Sequence, residues 1–478
     1  MEKENKAEAL QNLLTKKYDL AWNHLNEDEN EAMEYFCEMY KEYLTISKTE
    51  RLCAAYTVML AEKKGFKSLD YYRSSGKVVP GDKIYMVYKK KTVLLLVIGE
   101  EPLENGMSII GAHIDAPRLD LKQSPLYEEN DMAYFKTHYY GGIKKYQWVT
   151  IPLALHGTVV KKDGDVINIS IGEKNDEPVF CITDLLPHLS QEQSQKKMSE
   201  GITGEGLNLI IGSIPYADKE IGEPVKLNIL EQLNKLYGII EEDFASAELE
   251  VVPAGAARDV GFDRSFIGSY GQDDRVCAFT ATMAILNADD QKPPKKTWCT
   301  ILADKEEIGS YGSTGMQSRF FENELAEVID LTENHKPELT QRRCLKNSEF
   351  LSADVTAAVD PNFIGTHDTH NAPFAGKGLV ISKYGGSRGK SGSNDAHAEF
   401  LGKLRNCFDK GDVIWQMGEL GRVDLGGGGT IAYMLAEYGM DVVDCGPALL
   451  SMHSPFELCS KVDVFMTYKG YKAFFESI

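Results

Sequence analysis

Residues 298–303, Trp-Cys-Thr-Ile-Leu-Ala, form an apolar run that breaks directly into Asp304, Lys305, Glu306 and Glu307, then into Gly309, Ser310 and Gly312. The run predicts a buried strand, and the break predicts charge gathered at its carboxyl end. In open α/β sheets that end faces the ligand crevice. Adjacent carboxylates there suit acid–base work, metal ligation or both. A solvated turn is the plain alternative for an acidic pair read alone.

A chain of 478 residues exceeds what one hydrophobic core usually serves, so two domains, or one large domain carrying an insertion, are expected. The formal net charge of −20 argues against nucleic acid or an anionic membrane as partner. The first residues lack an apolar leader, and the longest aliphatic run, 93–98, is too short to span a bilayer. A cytoplasmic protein is expected. The 9 cysteines include no Cys-x-x-Cys pair, so they read as reduced core residues rather than a disulfide framework or thiolate zinc site.

Along the chain, helical spacing over 31–64 comes first, with Ser47 and Glu50 set as a capping box and Gly65 as a stop. Residues 84–88 and 92–98 read as a hairpin, and 107–112 as a third strand ending at His113. From about 120 to 253 the texture turns to short β-rich runs, with a polar tract at 190–206 that reads as a mobile loop. This predicts an inserted β-rich domain over 121–253 within a discontinuous domain made of 1–120 and 254–478. Helical patterns at 276–287, 315–331 and 430–438 then alternate with strands at 379–382, 413–417 and 441–445, and Ser460 with Asp463 would cap a last helix. The expected fold is α/β, with a mixed sheet covered by helices on both faces.

Acidic and histidine residues collect at predicted strand ends and loops: His113 with Asp115, Asp273 with Asp274, Glu306 with Glu307, Asp354, and His453. Mixed imidazole and carboxylate donors suit zinc, manganese or cobalt. Singly, a strand-end histidine reads as structural, and Asp273-Asp274-Arg275 as a helix cap with its ion pair.

Five segments occur in order: Gly111-Ala-His-Ile-Asp-Ala-Pro117, Gln272-Asp-Asp-Arg275, Asp304-Lys-Glu-Glu-Ile-Gly-Ser310, Ser352-Ala-Asp354 followed by Asp360-Pro-Asn-Phe363, and Met452-His-Ser454 with Glu457. Over roughly 107–464 the chain resembles the dinuclear zinc aminopeptidases related to aspartyl aminopeptidase and vacuolar aminopeptidase I. The resemblance implies a catalytic α/β domain interrupted by a β-rich dimerisation domain. It also implies two divalent ions per subunit, zinc, cobalt or manganese, with Asp273 bridging, His113 and Asp354 on one ion, and Glu307 and His453 on the other. Glu306 would then be the general base, and Asp115 would orient the His113 imidazole. The substrates would be peptides with a free N-terminus, and the subunits would form dimers assembled into a tetrahedral dodecamer.

Two further residues enter through the resemblance. His188 matches a family histidine and is a candidate extra ligand. Lys377 matches the lysine that pairs with an acidic N-terminal side chain, which would favour Asp or Glu at that position. Against the family pattern, Ala357 and Asp360 stand where relatives carry histidines, and Lys145-Tyr146 replaces a Trp-His pair. Beside the aminopeptidase reading stand another dinuclear amide hydrolase, such as a dipeptidase, carboxypeptidase or deacylase, and a catalytically silent oligomeric scaffold. The silent scaffold would have no need of Glu306.

Overall fold

The strand Thr297–Ala303 is buried at every residue and lies inside a nine-stranded sheet. The coordinates are a computed structural model describing residues 6–217, 221–288, 292–333 and 337–477. On one side this strand pairs antiparallel with Thr92–Val97, the second arm of the expected hairpin with Lys83–Tyr88. On the other it pairs in parallel with Met107–His113. Glu349–Ser352 and then Asp441–Gly446 continue the parallel set.

Parallel strands must be covered on both faces, and side-chain alternation shows how. Val93, Leu95 and Val97 join a core built with Phe36, Tyr40, Phe279, Phe465 and Phe474. Leu94 and Leu96 point into a second core with Phe320, Leu325, Val328, Leu345 and Leu435. The helix Gln272–Leu286 is buried nearly throughout and packs against Lys461–Ser477. A helix buried on every side belongs inside a large protein.

A six-stranded antiparallel sheet is built from segments between Arg118 and Pro253. Trp148, Leu119, Phe135, Leu155 and Val251 fill a core of its own. The tract at 190–206 holds short turns at Gln191–Ser194, Met198–Gly201 and Gly204–Gly206 and is largely exposed. A five-stranded sheet pairs Phe266–Ser269 with Glu457–Ser460.

Some local expectations require correction. The capping box falls at Asn26 and Glu29, which open the helix Glu27–Ile46. Ser47 instead closes that helix by donating its N–H to the Tyr43 carbonyl at 2.8 Å, and Thr49 caps the next helix through the Leu52 N–H at 3.3 Å. Asp463 does not act at a helix cap. Its two oxygens accept the N–H groups of Gly376 at 2.6 Å and Gly378 at 2.7 Å. The helices expected from 315 and 430 shorten to Phe320–Glu333 and Ala432–Ala436.

Candidate metal centre

Register brings the strand-end groups together. Ala303 sits beside His113, and Ser352 beside both Gly111 and Asp444, so the residues just past each strand meet at one rim. After Ala303 the backbone turns sharply, with Lys305 at φ 70° and Gly309 at φ 92° around the short turn Glu306–Ile308. Asp304 anchors that turn by accepting the Thr314 hydroxyl at 2.5 Å and pairing with the Lys305 ammonium at 2.7 Å. From the five-stranded sheet, the pairing of Ser269 with Glu457 carries Asp273 and His453 to the same rim.

Asp273 sits at the centre. Its Oδ1 lies 3.2 Å from His113 Nε2, and its Oδ2 lies 3.1 Å from His453 Nε2. Each oxygen therefore faces a different imidazole. Glu307 Oε2 is 3.5 Å from His453 Nε2, and Glu306 Oε2 is 4.0 Å from His113 Nε2. Donor atoms of His113, Asp273 and Glu307 lie within 4.8 Å of one another, as do those of His113, Asp274 and Asp354.

Asp115 organises the rim from beneath. Its carboxylate accepts the N–H groups of Glu306 at 3.1 Å and Glu307 at 3.2 Å, and the Tyr140 hydroxyl at 2.7 Å. His113 Nδ1 lies 3.1 Å from the Asp115 carbonyl and 3.2 Å from its Oδ1. His453 Nδ1 lies 3.0 Å from the Gly142 carbonyl. Donating at Nδ1 leaves Nε2 free to ligate, the arrangement metal-binding histidines adopt.

The electrostatics call for a cation. Burial pushes the Glu307 carboxyl well above its usual range, and Asp273 beside it pushes further. Burial and then Asp274 do the same to Asp354. Burial raises Glu306 to about 7, against the opposing pull of His113. For His113, burial works to lower the pKa, but hydrogen bonds to Asp115 and Asp273 overcome it and raise it well above the imidazole range. Among the described residues, buried Asp274 Oδ1 and Glu307 Oε1 find no hydrogen-bond partner. Crowded carboxylates with orphaned oxygens beside two imidazoles fit divalent metal and disfavour an empty polar core.

A cleft of about 500 Å³ opens onto these groups, lined by Asp273, Glu306, Glu307, Asp354, His453 and Tyr384 among others. The structure thus brings His113, Asp115, Asp273, Glu306, Glu307, Asp354 and His453 together. It does not bring in the other two. His188 is exposed beyond Asp184 and belongs to neither donor group. Lys377 does not line the cleft. Its ammonium lies 4.8 Å from the Phe374 ring centroid, on a loop that Asp463 holds through the glycines on either side.

Sequence reasoning assigned Asp274 no place among the ligands and passed over Tyr140 and Gly142. Only Asp274 carried a signal, as the second acid of the Gln272-Asp-Asp-Arg275 segment.

Mixed carboxylate and imidazole donors at the carboxyl rim of a helix-covered α/β sheet define a divalent-metal site of the kind metal-dependent hydrolases use. Residues 43–475 match the Aminopeptidase I zinc metalloprotease (M18) family, and the chain belongs to that family and is a metallo-aminopeptidase. It is 52% identical over 464 residues to a probable M18 family aminopeptidase 1 of Clostridium acetobutylicum, covering 97% of this chain and 99% of that protein. The crystal structure of an M18 aminopeptidase from Thermotoga maritima superposes with a TM-score of 0.92 at 45% identity, covering 97% of this chain and 100% of that one. That of aminopeptidase I from Clostridium acetobutylicum gives a TM-score of 0.89 at 49% identity, over 97% of this chain and 100% of that one.

Proposed function

We propose that the chain removes the N-terminal residue of peptides at a site where two divalent ions, zinc by preference, would be held by His113 and Asp354 on one side and Glu307 and His453 on the other, with Asp273 shared between them. The observation that carries this reading is Asp273, whose two oxygens face His113 and His453 separately at 3.2 and 3.1 Å. When bound, such ions supply Lewis acidity toward a water and the scissile carbonyl.

The chain's own residues do the rest. Glu306 accepts the proton of the attacking water as oxygen bonds to the carbonyl carbon, then delivers it to the amide nitrogen as the carbon–nitrogen bond breaks. The products are a free amino acid and a shortened peptide, and Glu306 returns to its starting form. Asp115 keeps both glutamates in place by accepting their backbone N–H groups at 3.1 and 3.2 Å.

Selectivity follows the cleft walls. No lysine or arginine is found among the described lining residues, whereas Val355, Leu420 and Met452 are. Uncharged N-terminal residues suit those walls better than Asp or Glu. We also take residues 121–253 as an inserted unit that makes contacts between copies of the chain in a cytoplasmic dodecamer built of dimers. The exposed Leu185, Leu189, Met198 and Ile214 in that stretch support this, at 52%, 68%, 71% and 72% exposure, since exposed apolar groups mark contact surfaces. Light scattering at the mass of a monomer would end that part of the reading.

The test is hydrolysis of aminoacyl-nitroanilides and matched peptides with free and acetylated N-termini, wild type beside Glu306→Gln. Cleavage of free N-termini only, lost in the variant while metal content stays at two ions per chain, is the expected result. Cleavage of acetylated peptides would overturn it in favour of another amide hydrolase.

A further inference from the structure

The strand Met132–Tyr140 belongs to the six-stranded sheet, yet its end and the residues after it press against the metal centre. Tyr140 donates its hydroxyl to Asp115 Oδ2 at 2.7 Å. Two residues on, the Gly142 carbonyl meets His453 Nδ1 at 3.0 Å. The approach is tight enough that a side chain would crowd the centre. A Cβ on Gly141, whose φ is +73°, would lie 3.3 Å from Glu307 Cβ and 3.4 Å from Glu307 Oε2, and one on Gly142 would lie 3.3 Å from His453 Nδ1.

We propose that Tyr140 and the Gly142 carbonyl are positioning residues through which the six-stranded sheet sets the metal centre. The inference rests on the two-metal reading above. Tyr140 acts through Asp115. By occupying Oδ2 it leaves Oδ1 facing His113 Nδ1 at 3.2 Å, while the same carboxylate holds the turn carrying Glu306 and Glu307. The Gly142 carbonyl accepts from His453 Nδ1 and so fixes the tautomer that leaves Nε2 toward Asp273. Both imidazoles are thereby oriented, His453 directly and His113 through Asp115. Outer partners of this kind typically govern about 10–100-fold in metal affinity or activity.

Tyr140→Phe isolates the hydroxyl. The ring that lies 3.9 Å from the Arg118 guanidinium is retained, so packing is kept and only the donor to Asp115 is lost. The measurements are zinc affinity by competition with a chromophoric chelator, kcat and KM on a free-amine substrate, and the melting temperature of the metal-free protein. Zinc affinity and kcat are each expected to fall about 10–100-fold, with KM unchanged and the metal-free melting temperature lowered only by what one lost donor to a buried carboxylate costs. Unchanged zinc affinity and kcat would overturn the role of Tyr140, as would a lowered metal-free melting temperature that accounts for the whole loss.

For Gly142, ¹⁵N spectra of the zinc-loaded protein are expected to show His453 carrying its proton at Nδ1, toward the Gly142 carbonyl, and Gly142→Ala to disturb that signal. A zinc-loaded wild type whose His453 carries its proton at Nε2 overturns the assignment. These binding and tautomer readouts do not depend on turnover. A wild type that binds zinc but cleaves no peptide fails the functional reading and leaves the positioning test intact.

Discussion

Glu457 accepts the backbone N–H of Asp273 at 3.2 Å on one oxygen and that of His453 at 2.8 Å on the other. The first oxygen also takes the Gln272 N–H at 2.6 Å. A single buried carboxylate therefore fixes the spacing between two residues 180 positions apart in the sequence, as 453 minus 273 gives. Its own placement comes from pairing with Ser269 in the five-stranded sheet. The Asp273–His453 separation is thus set by backbone hydrogen bonds and does not wait for an ion.

Glu457→Gln should uncouple the two. The amide keeps one accepting oxygen but turns an NH2 toward N–H donors on its other side. A buried donor left unsatisfied costs about 1–3 kcal/mol, so a lower melting temperature is expected together with weaker metal binding. Calorimetric zinc titration checks this. Wild-type affinity in a well-folded variant would show that Glu457 only stabilises the sheet.

Removing metal should cost activity and stability together. Ligands that bind only the folded state stabilise it by mass action, by about 2.7 kcal/mol at a hundredfold excess over Kd. Chelated protein should therefore melt lower and be inactive, and both should return as zinc is added back. Asp273→Asn, which loses charge at the position facing both imidazoles, should show no such rise in melting temperature with zinc. A rise equal to wild type would remove Asp273 from the centre.

How legible this was depends on the range of the interaction. The rim carboxylates could be read locally, because an apolar strand breaking into Asp304–Glu307 is a contiguous signal, as is Gly111-Ala-His113 at the end of another strand. Cross-sheet partners could not be read this way. Tyr140 reaches Asp115 from a different sheet, and nothing in its own sequence neighbourhood marks the hydroxyl. The placement of Lys377 was hidden for a related reason. Its loop is held by Asp463, distant in sequence, which accepts the Gly378 N–H. Ser47 offered a cap pattern that Thr49 outcompeted, two residues nearer the helix it had to start.

Lys377→Ala tests that placement directly. With the ammonium over Phe374 and outside the cleft lining, the substitution should change turnover of aspartyl and leucyl substrates in equal proportion. A loss confined to acidic substrates would restore Lys377 as the residue that reads an N-terminal acid.

Packing behind the centre supplies the last prediction. Asp273, whose backbone is non-helical, leads into the regular part of the helix Gln272–Leu286, and Phe279 in the middle of that helix is 2% exposed. Its ring centroid lies 5.2 Å from Phe36, 5.4 Å from Tyr40 and 5.2 Å from Tyr43, so it ties the helix to Glu27–Ile46. Truncating a buried phenylalanine to alanine removes about 3–5 kcal/mol, through lost burial and the cavity left behind. Phe279→Ala should therefore lower the melting temperature strongly. Because Glu457 holds Asp273 independently through its backbone, the fraction that remains folded should keep wild-type kcat per bound metal. Unfolding by denaturant and active-site titration separate the two effects. A fall in kcat beyond the loss of folded protein would mean that helix packing, and not Glu457 alone, sets the position of Asp273.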